Sequence, residues 1–172
     1  MGLHSNLDHD ADDWKLDRVG AARRGENPTV LTKMRSGWAV IGDSQHLPGY
    51  CVLLADVDEV DHLTELPRPA RIEFLADMVL LGEAVFNACN GTDPHFRRIN
   101  YEVLGNSLHT LHAHVHARYS WEPAEYRNGP VWRYPSDVRG APEHELAPEH
   151  DELRAAILKE LERVMAEAYS SV

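Results

Sequence analysis

The sequence predicts an α+β fold: an antiparallel sheet with one main helix packed on it and a second helix at the C-terminus. Three observations predict it. Short β-type apolar runs fill the first third of the chain. Apolar residues at helical spacing follow from Pro69, and a period-two run returns at Leu111–Tyr119 before a last helical stretch. The order is strands, helix, strands, loop, helix, without the strand–helix alternation of a parallel sheet. At 172 residues, 43% hydrophobic and 26% charged, the chain suits one globular domain.

Residues 1–25 read as a polar N-terminal arm with one short helix around Trp14, and residues 26–172 as a single domain. Val30-Leu31, the turn Arg35-Ser36-Gly37 and Trp38-Ala39-Val40-Ile41 make a hairpin, and Pro48-Gly49 opens a strand from Tyr50 to Ala55. Ile72, Leu75, Ala76, Val79, Leu80, Val85 and Phe86 mark the main helix, with Asn90-Gly91 as its stop. A strand from Arg98 to Leu104 turns at Gly105-Asn106-Ser107 into the strand Leu111–Tyr119. Residues 122–148 hold five of the ten prolines and form a long loop, and Pro148–Tyr169 is a strongly patterned helix.

Composition narrows the function. A net charge of -11 excludes a broad salt-driven grip on nucleic acid, while a small anion needs only local donors. Cys51 and Cys89 lack metal-site spacing and read as free buried thiols. Residues 1–13 are polar and acidic and no apolar run approaches membrane-spanning length, so the expectation is a cytoplasmic protein with no membrane partner.

The chemistry concentrates in His112-Ala113-His114-Val115-His116. On a strand the three imidazoles share one face, about 6.6 Å apart, with Ala113, Val115 and Ala117 on the buried opposite face. Three groups that titrate near pH 6.5 and need polar partners are costly as mere structure. A histidine-rich solvent face, a zinc site completed by His109 or carboxylates, and a neutral imidazole attacking phosphorus all remain open from the residues alone.

The run His112-Ala113-His114-Val115-His116-Ala117-Arg118 resembles the motif of the histidine-triad hydrolases and transferases. Leu47-Pro48-Gly49-Tyr50-Cys51-Val52-Leu53-Leu54 is similar to the family's Pro-Gly strand, and Arg98–Ser107 looks like a bacterial branch related to dinucleoside tetraphosphate hydrolases. The resemblance covers about residues 28–121, with 122–172 as the C-terminal loop and helix. It implies a histidine-triad-like fold and a nucleotide phosphohydrolase acting on a dinucleoside polyphosphate or nucleoside phosphoramidate. Nucleotidyl transfer, or nucleotide binding without turnover, is the alternative. His114 would form the phosphoramidate at the α-phosphate, with His112 orienting it and His116 assisting at the phosphate or leaving group. Asn100, Asn106 and Ser107 would hold phosphate oxygens, Trp38 and Val40 would adjoin the base, and neither metal nor cofactor would be required. Arg118 has the guanidinium fork for a phosphate contact or ends the strand as a plain surface cation. The resemblance further implies a homodimer built on the main helix and a sheet edge. Tyr50 stands where many members have histidine and Leu108 where glutamine is common; His62 is a further histidine with no assigned role.

Overall fold

The computed structural model describes residues 13–106 and 108–170. Strands β1 (Val30–Lys33), β2 (Gly37–Ile41), β3 (Cys51–Ala55), β4 (Phe96–Glu102) and β5 (His112–Tyr119) form one antiparallel sheet in the order β1-β2-β3-β5-β4. Helix α1 spans Arg18–Arg24, α2 Arg68–Thr92, α3 Ala124–Arg127, α4 Ser136–Arg139 and α5 Asp151–Ser170. The α+β class and each expected strand are present, with boundaries shifted by one or two residues.

Alternation decides the two faces. Ala39, Ile41, Cys51, Leu53, Ala55, Ala113, Val115 and Ala117 form one face, buried against α2 and α5. Trp38, Val40, Val52, Leu54 and the three histidines share the other.

In α2 the buried stripe is Phe74, Asp77, Leu81, Ala84, Val85 and Ala88, spaced three and four apart. Of the apolar set named from periodicity, only Val85 belongs to it; Ile72, Val79 and Phe86 are exposed. The difference arises because α2 carries apolar residues on two sides, and periodicity alone does not say which side meets the sheet. The buried Asp77 carboxylate accepts from Ser36 N–H (2.7 Å), Ser36 Oγ (2.7 Å) and Tyr169 Oη (2.6 Å), tying the β1–β2 turn to both helices. The helix runs past Asn90-Gly91 to Thr92, whose Oγ1 donates to the Ala88 carbonyl at 2.9 Å.

The expected helix around Trp14 lies further along. Asp13–Lys15 is one 3-10 turn, and α1 follows, its first turn capped by the Asp17 carboxylate accepting from Gly20 N–H at 2.9 Å. Val19 packs on Val40, Val52 and Leu54, so this part of the arm covers the histidine face of β2 and β3. Met1–Asp12 lie outside the described residues. Among the described residues no helix is long and apolar enough to cross a membrane.

The Pro48-Gly49 signal has a steric basis. Gly49 has φ 88, and a Cβ there would meet Cys89 Sγ at 2.5 Å. Gly49→Ala is expected to lose about 2–4 kcal/mol through combined backbone strain and overpacking. Urea unfolding checks this as a lower midpoint at unchanged slope.

Candidate active site on the histidine strand

β5 lies between β3 and β4, so its backbone is paired on both sides and all eight of its residues are buried. His112 sits opposite Leu54, His114 opposite Val52 and Glu102, and His116 opposite Asn100. Relative exposures of 7%, 9% and 3% for His112, His114 and His116 set aside a solvent-facing histidine strip.

The cover is aromatic. Tyr50 stacks on His116 with ring centroids 4.3 Å apart and planes 7° apart, and its Oη lies 2.7 Å from His114 Nδ1. Trp132, from the proline-rich loop, sets its ring edge-on to His114 and His116 at 5.0 and 5.6 Å. Its Nε1–H donates to Glu102, and the Arg139 guanidinium lies over the indole at 4.8 Å. His112 Nδ1 is 2.6 Å from the Thr110 carbonyl oxygen.

Burial keeps His114 and His116 uncharged. Loss of water, reinforced by neighbouring His112, lowers the His114 pKa to about 4, and burial together with His114, Arg118 and Arg139 holds His116 well below the usual histidine range. Burial also pushes the Glu102 carboxyl upward, against the Trp132 hydrogen bond and Arg118. His116 Nε2 is buried and among the described residues has no hydrogen-bond partner; it lies 3.9 Å from Glu102 Oε2. At neutral pH His114 and His116 are therefore neutral imidazoles, the form that carries a lone pair for attack or metal binding.

Arg118 departs from the phosphate role open to it in the sequence. It is buried, and its guanidinium is spent internally. Nε donates to both Glu122 oxygens at 3.0 and 3.1 Å and Nη2 to Glu122 Oε2 at 2.7 Å. The remaining donors reach Asn100 Oδ1 at 2.7 Å and the carbonyls of Gly129 and Tyr126 at 2.8 and 3.0 Å. Every N–H thus has an acceptor inside the protein, and the group pins the Trp132 loop to the sheet. Asn100, whose Oδ1 serves this network, lies on the histidine face beside His116.

The other expected residues divide. Gly105 has φ 69 and lines a cleft of about 210 Å³ with His62, Thr64 and His112; Asn106 is exposed on the same turn, and Ser107 lies outside the described residues. A second cleft of about 260 Å³, lined by Lys15, Arg18, Leu54, Leu108 and Thr110, also opens on His112. Trp38 shares the histidine face but lies two strands away, under Lys33 at 4.9 Å. Val40 packs in the small apolar cluster with Val19. His109 is exposed, 3.4 Å from Asp61 Oδ2. Among the described residues no three His, Cys, Asp or Glu side chains form a metal-binding group. No sequence motif marks Tyr50, Trp132, Glu102 or Glu122 as site residues. The one local signal was aromatic residues within a proline-rich loop, which is unusual for a solvated connection.

Because Arg118 and Glu122 are a buried pair, removing one partner strands the other charge. Glu122→Ala is expected to cost about 3–5 kcal/mol. Although burial alone pushes the Glu122 carboxyl up, Arg118, Tyr119 N–H and Tyr134 Oη outweigh it and hold it below the usual carboxylate range. A depressed carboxyl stabilises the fold above its unfolded pKa of about 4.3, and that contribution is lost as pH falls through the lower folded value. Thermal unfolding of both proteins across this acid range checks magnitude and direction together.

No family model matches the chain, and no curated protein matches it. Solved structures do. A histidine triad (HIT) protein from Sinorhizobium meliloti 1021 superposes with TM-score 0.63 at 20% identity, covering 81% of this chain and 93% of that one. A hypothetical histidine triad nucleotide-binding protein from Sulfolobus tokodaii strain7 gives 0.60 at 12%, covering 85% and 91%. A zinc-bound histidine triad family protein from Mycobacterium smegmatis gives 0.57 at 14%, covering 86% and 94%. At these identities the likeness speaks for architecture: the chain has the fold of the histidine-triad proteins.

Proposed function

We propose that the protein is a nucleotide phosphohydrolase in which an imidazole of the β5 run attacks the α-phosphate of a dinucleoside polyphosphate or nucleoside phosphoramidate. The observation that carries this reading is a strand of three buried histidines, two of which have one ring nitrogen held by a hydrogen-bond partner, in a fold shared with histidine triad proteins that include a hypothetical nucleotide-binding one. A neutral imidazole with its other nitrogen held is an activated nucleophile toward phosphorus, and the reaction needs neither metal nor cofactor. The resemblance to the histidine triad gives the attack to His114, its middle member; His112 has a comparably held ring. The resemblance gives the phosphate contacts to Asn100, Asn106 and Ser107. A cavity of about 710 Å³ lined by Trp14, Thr29, Asp43, Ser44 and Tyr50 has room for a nucleoside. Buried free Cys51 and Cys89 suit a reducing, cytoplasmic setting.

The test is turnover of diadenosine tetraphosphate by native protein and by the double variant His112→Ala, His114→Ala, with products separated by chromatography. The double variant is expected to be slower by roughly 1,000-fold or more, as for loss of a covalent nucleophile. Equal rates would remove the reading. Added inorganic phosphate that diverts product to a nucleoside diphosphate would make the protein a transferase instead.

The working unit is a homodimer. Ile72, Val79 and Phe86, seven residues apart on α2, are 61%, 52% and 43% exposed, and the neighbouring β4 is a sheet edge. Light scattering is expected to give twice the chain mass for the native protein and the chain mass for Val79→Asp. A native monomer would refute the dimer.

A further inference from the structure

The positions of protons on the buried imidazoles separate two residues that the motif alone treats by rank. His112 Nδ1 lies 2.6 Å from the Thr110 carbonyl oxygen. A carbonyl only accepts, so Nδ1 carries the hydrogen and Nε2 keeps its lone pair. His114 Nδ1 faces the Tyr50 hydroxyl at 2.7 Å, and among the described residues that hydroxyl has no other hydrogen-bond partner. If the phenol accepted from Nδ1–H, its own proton would be left without a protein acceptor. If it donates, both groups are satisfied. Burial also holds the Tyr50 hydroxyl above its ordinary pKa, in the protonated form that can donate. Donation into Nδ1 places the His114 hydrogen on Nε2, where it occupies the lone pair that an attack would use.

We propose that His112 is the nucleophile, and that Tyr50 is a positioning residue that fixes His114 as a hydrogen-bond donor to the phosphoryl oxygens. This rests on the phosphohydrolase reading above and assigns its roles by tautomer rather than by order in the run. The clefts agree with it, since His112 lines two openings, one flanked by Lys15 and Arg18 and the other by the Gly105 turn. In the first step the His112 Nε2 lone pair forms the N–P bond, and the bond from α-phosphorus to the leaving oxygen breaks with its electrons on that oxygen. The hydrogen stays on Nδ1, donated to the Thr110 carbonyl oxygen. Water then attacks phosphorus, the N–P bond breaks, and the nucleoside monophosphate and one proton leave. Throughout, His114 Nε2–H donates to a non-bridging oxygen, where negative charge builds.

Two measurements on the full chain test the assignment. In long-range proton–nitrogen NMR of histidine-labelled protein, His112 is expected to be protonated on Nδ1 and His114 on Nε2. In Tyr50→Phe, His114 should lose its single tautomer while His112 keeps its own, a change that a purely structural tyrosine would not produce. His114 found protonated on Nδ1 in the native protein overturns the proposal. In the second measurement, protein incubated with diadenosine tetraphosphate is quenched in alkali and its peptides fragmented by mass spectrometry. A nucleotidyl group on His112 supports the assignment. The same group on His114 or His116 overturns it and leaves the phosphohydrolase reading standing. Undiminished turnover by the His112→Ala, His114→Ala double variant overturns both.

Discussion

Three imidazoles stand on a strand with neighbours on both edges and packing on both faces, and that arrangement sets the terms for everything around them. Charge there carries a large desolvation cost, so His114 and His116 are kept neutral, and all three rings need partners. The backbone of Thr110, the phenol of Tyr50 and the indole edge of Trp132 supply contacts. Among the described residues His116 Nε2 has no hydrogen-bond partner and lies close to a Glu102 carboxyl whose own pKa is raised. A site built this way trades some stability for neutral nucleophile-grade nitrogens at physiological pH.

The cover over the histidines comes from the segment most remote from regular structure. Residues between β5 and α5 form short helical turns separated by prolines, and such a stretch would wander without an anchor. Arg118 is that anchor. It leaves β5 one step beyond His116 on the same face, binds Glu122, and takes the carbonyls of Tyr126 and Gly129, so the loop returns over the strand it left. Tyr134 reinforces it by donating to Glu122 at 2.9 Å, and Trp132 is thereby delivered to the imidazoles. The guanidinium that resembles a phosphate ligand by position acts instead on the architecture that shapes the site.

Much of this was legible in the sequence, for reasons that differ by element. The β5 register and the sharing of one face by His112, His114 and His116 follow from period two, and the Pro48-Gly49 strand start follows from a backbone only glycine adopts easily. The helix α2 was legible as a helix but not as to which side it buries, because Ile72, Val79 and Phe86 compete with Phe74, Leu81 and Val85 for the apolar stripe. What was not legible depends on contacts far apart in the chain. Tyr50 read as the absence of a histidine, yet its hydroxyl occupies a position against His114 Nδ1. Trp132 and Glu122 lie in a segment without periodicity, where aromatic residues among prolines signal burial but not that they reach β5. Helix α1 was folded into a polar arm because only Val19, Ala21 and Ala22 of its seven residues are buried.

The central claim is that burial holds the His114 and His116 imidazoles neutral, and an NMR pH titration of these two rings tests it most directly. The account predicts that His114 stays neutral from pH 8 down to about 5 and protonates only near its lowered pKa of about 4, with His116 equally unresponsive over the neutral range. Titration of His114 or His116 near the ordinary histidine value of about 6.5 would contradict it.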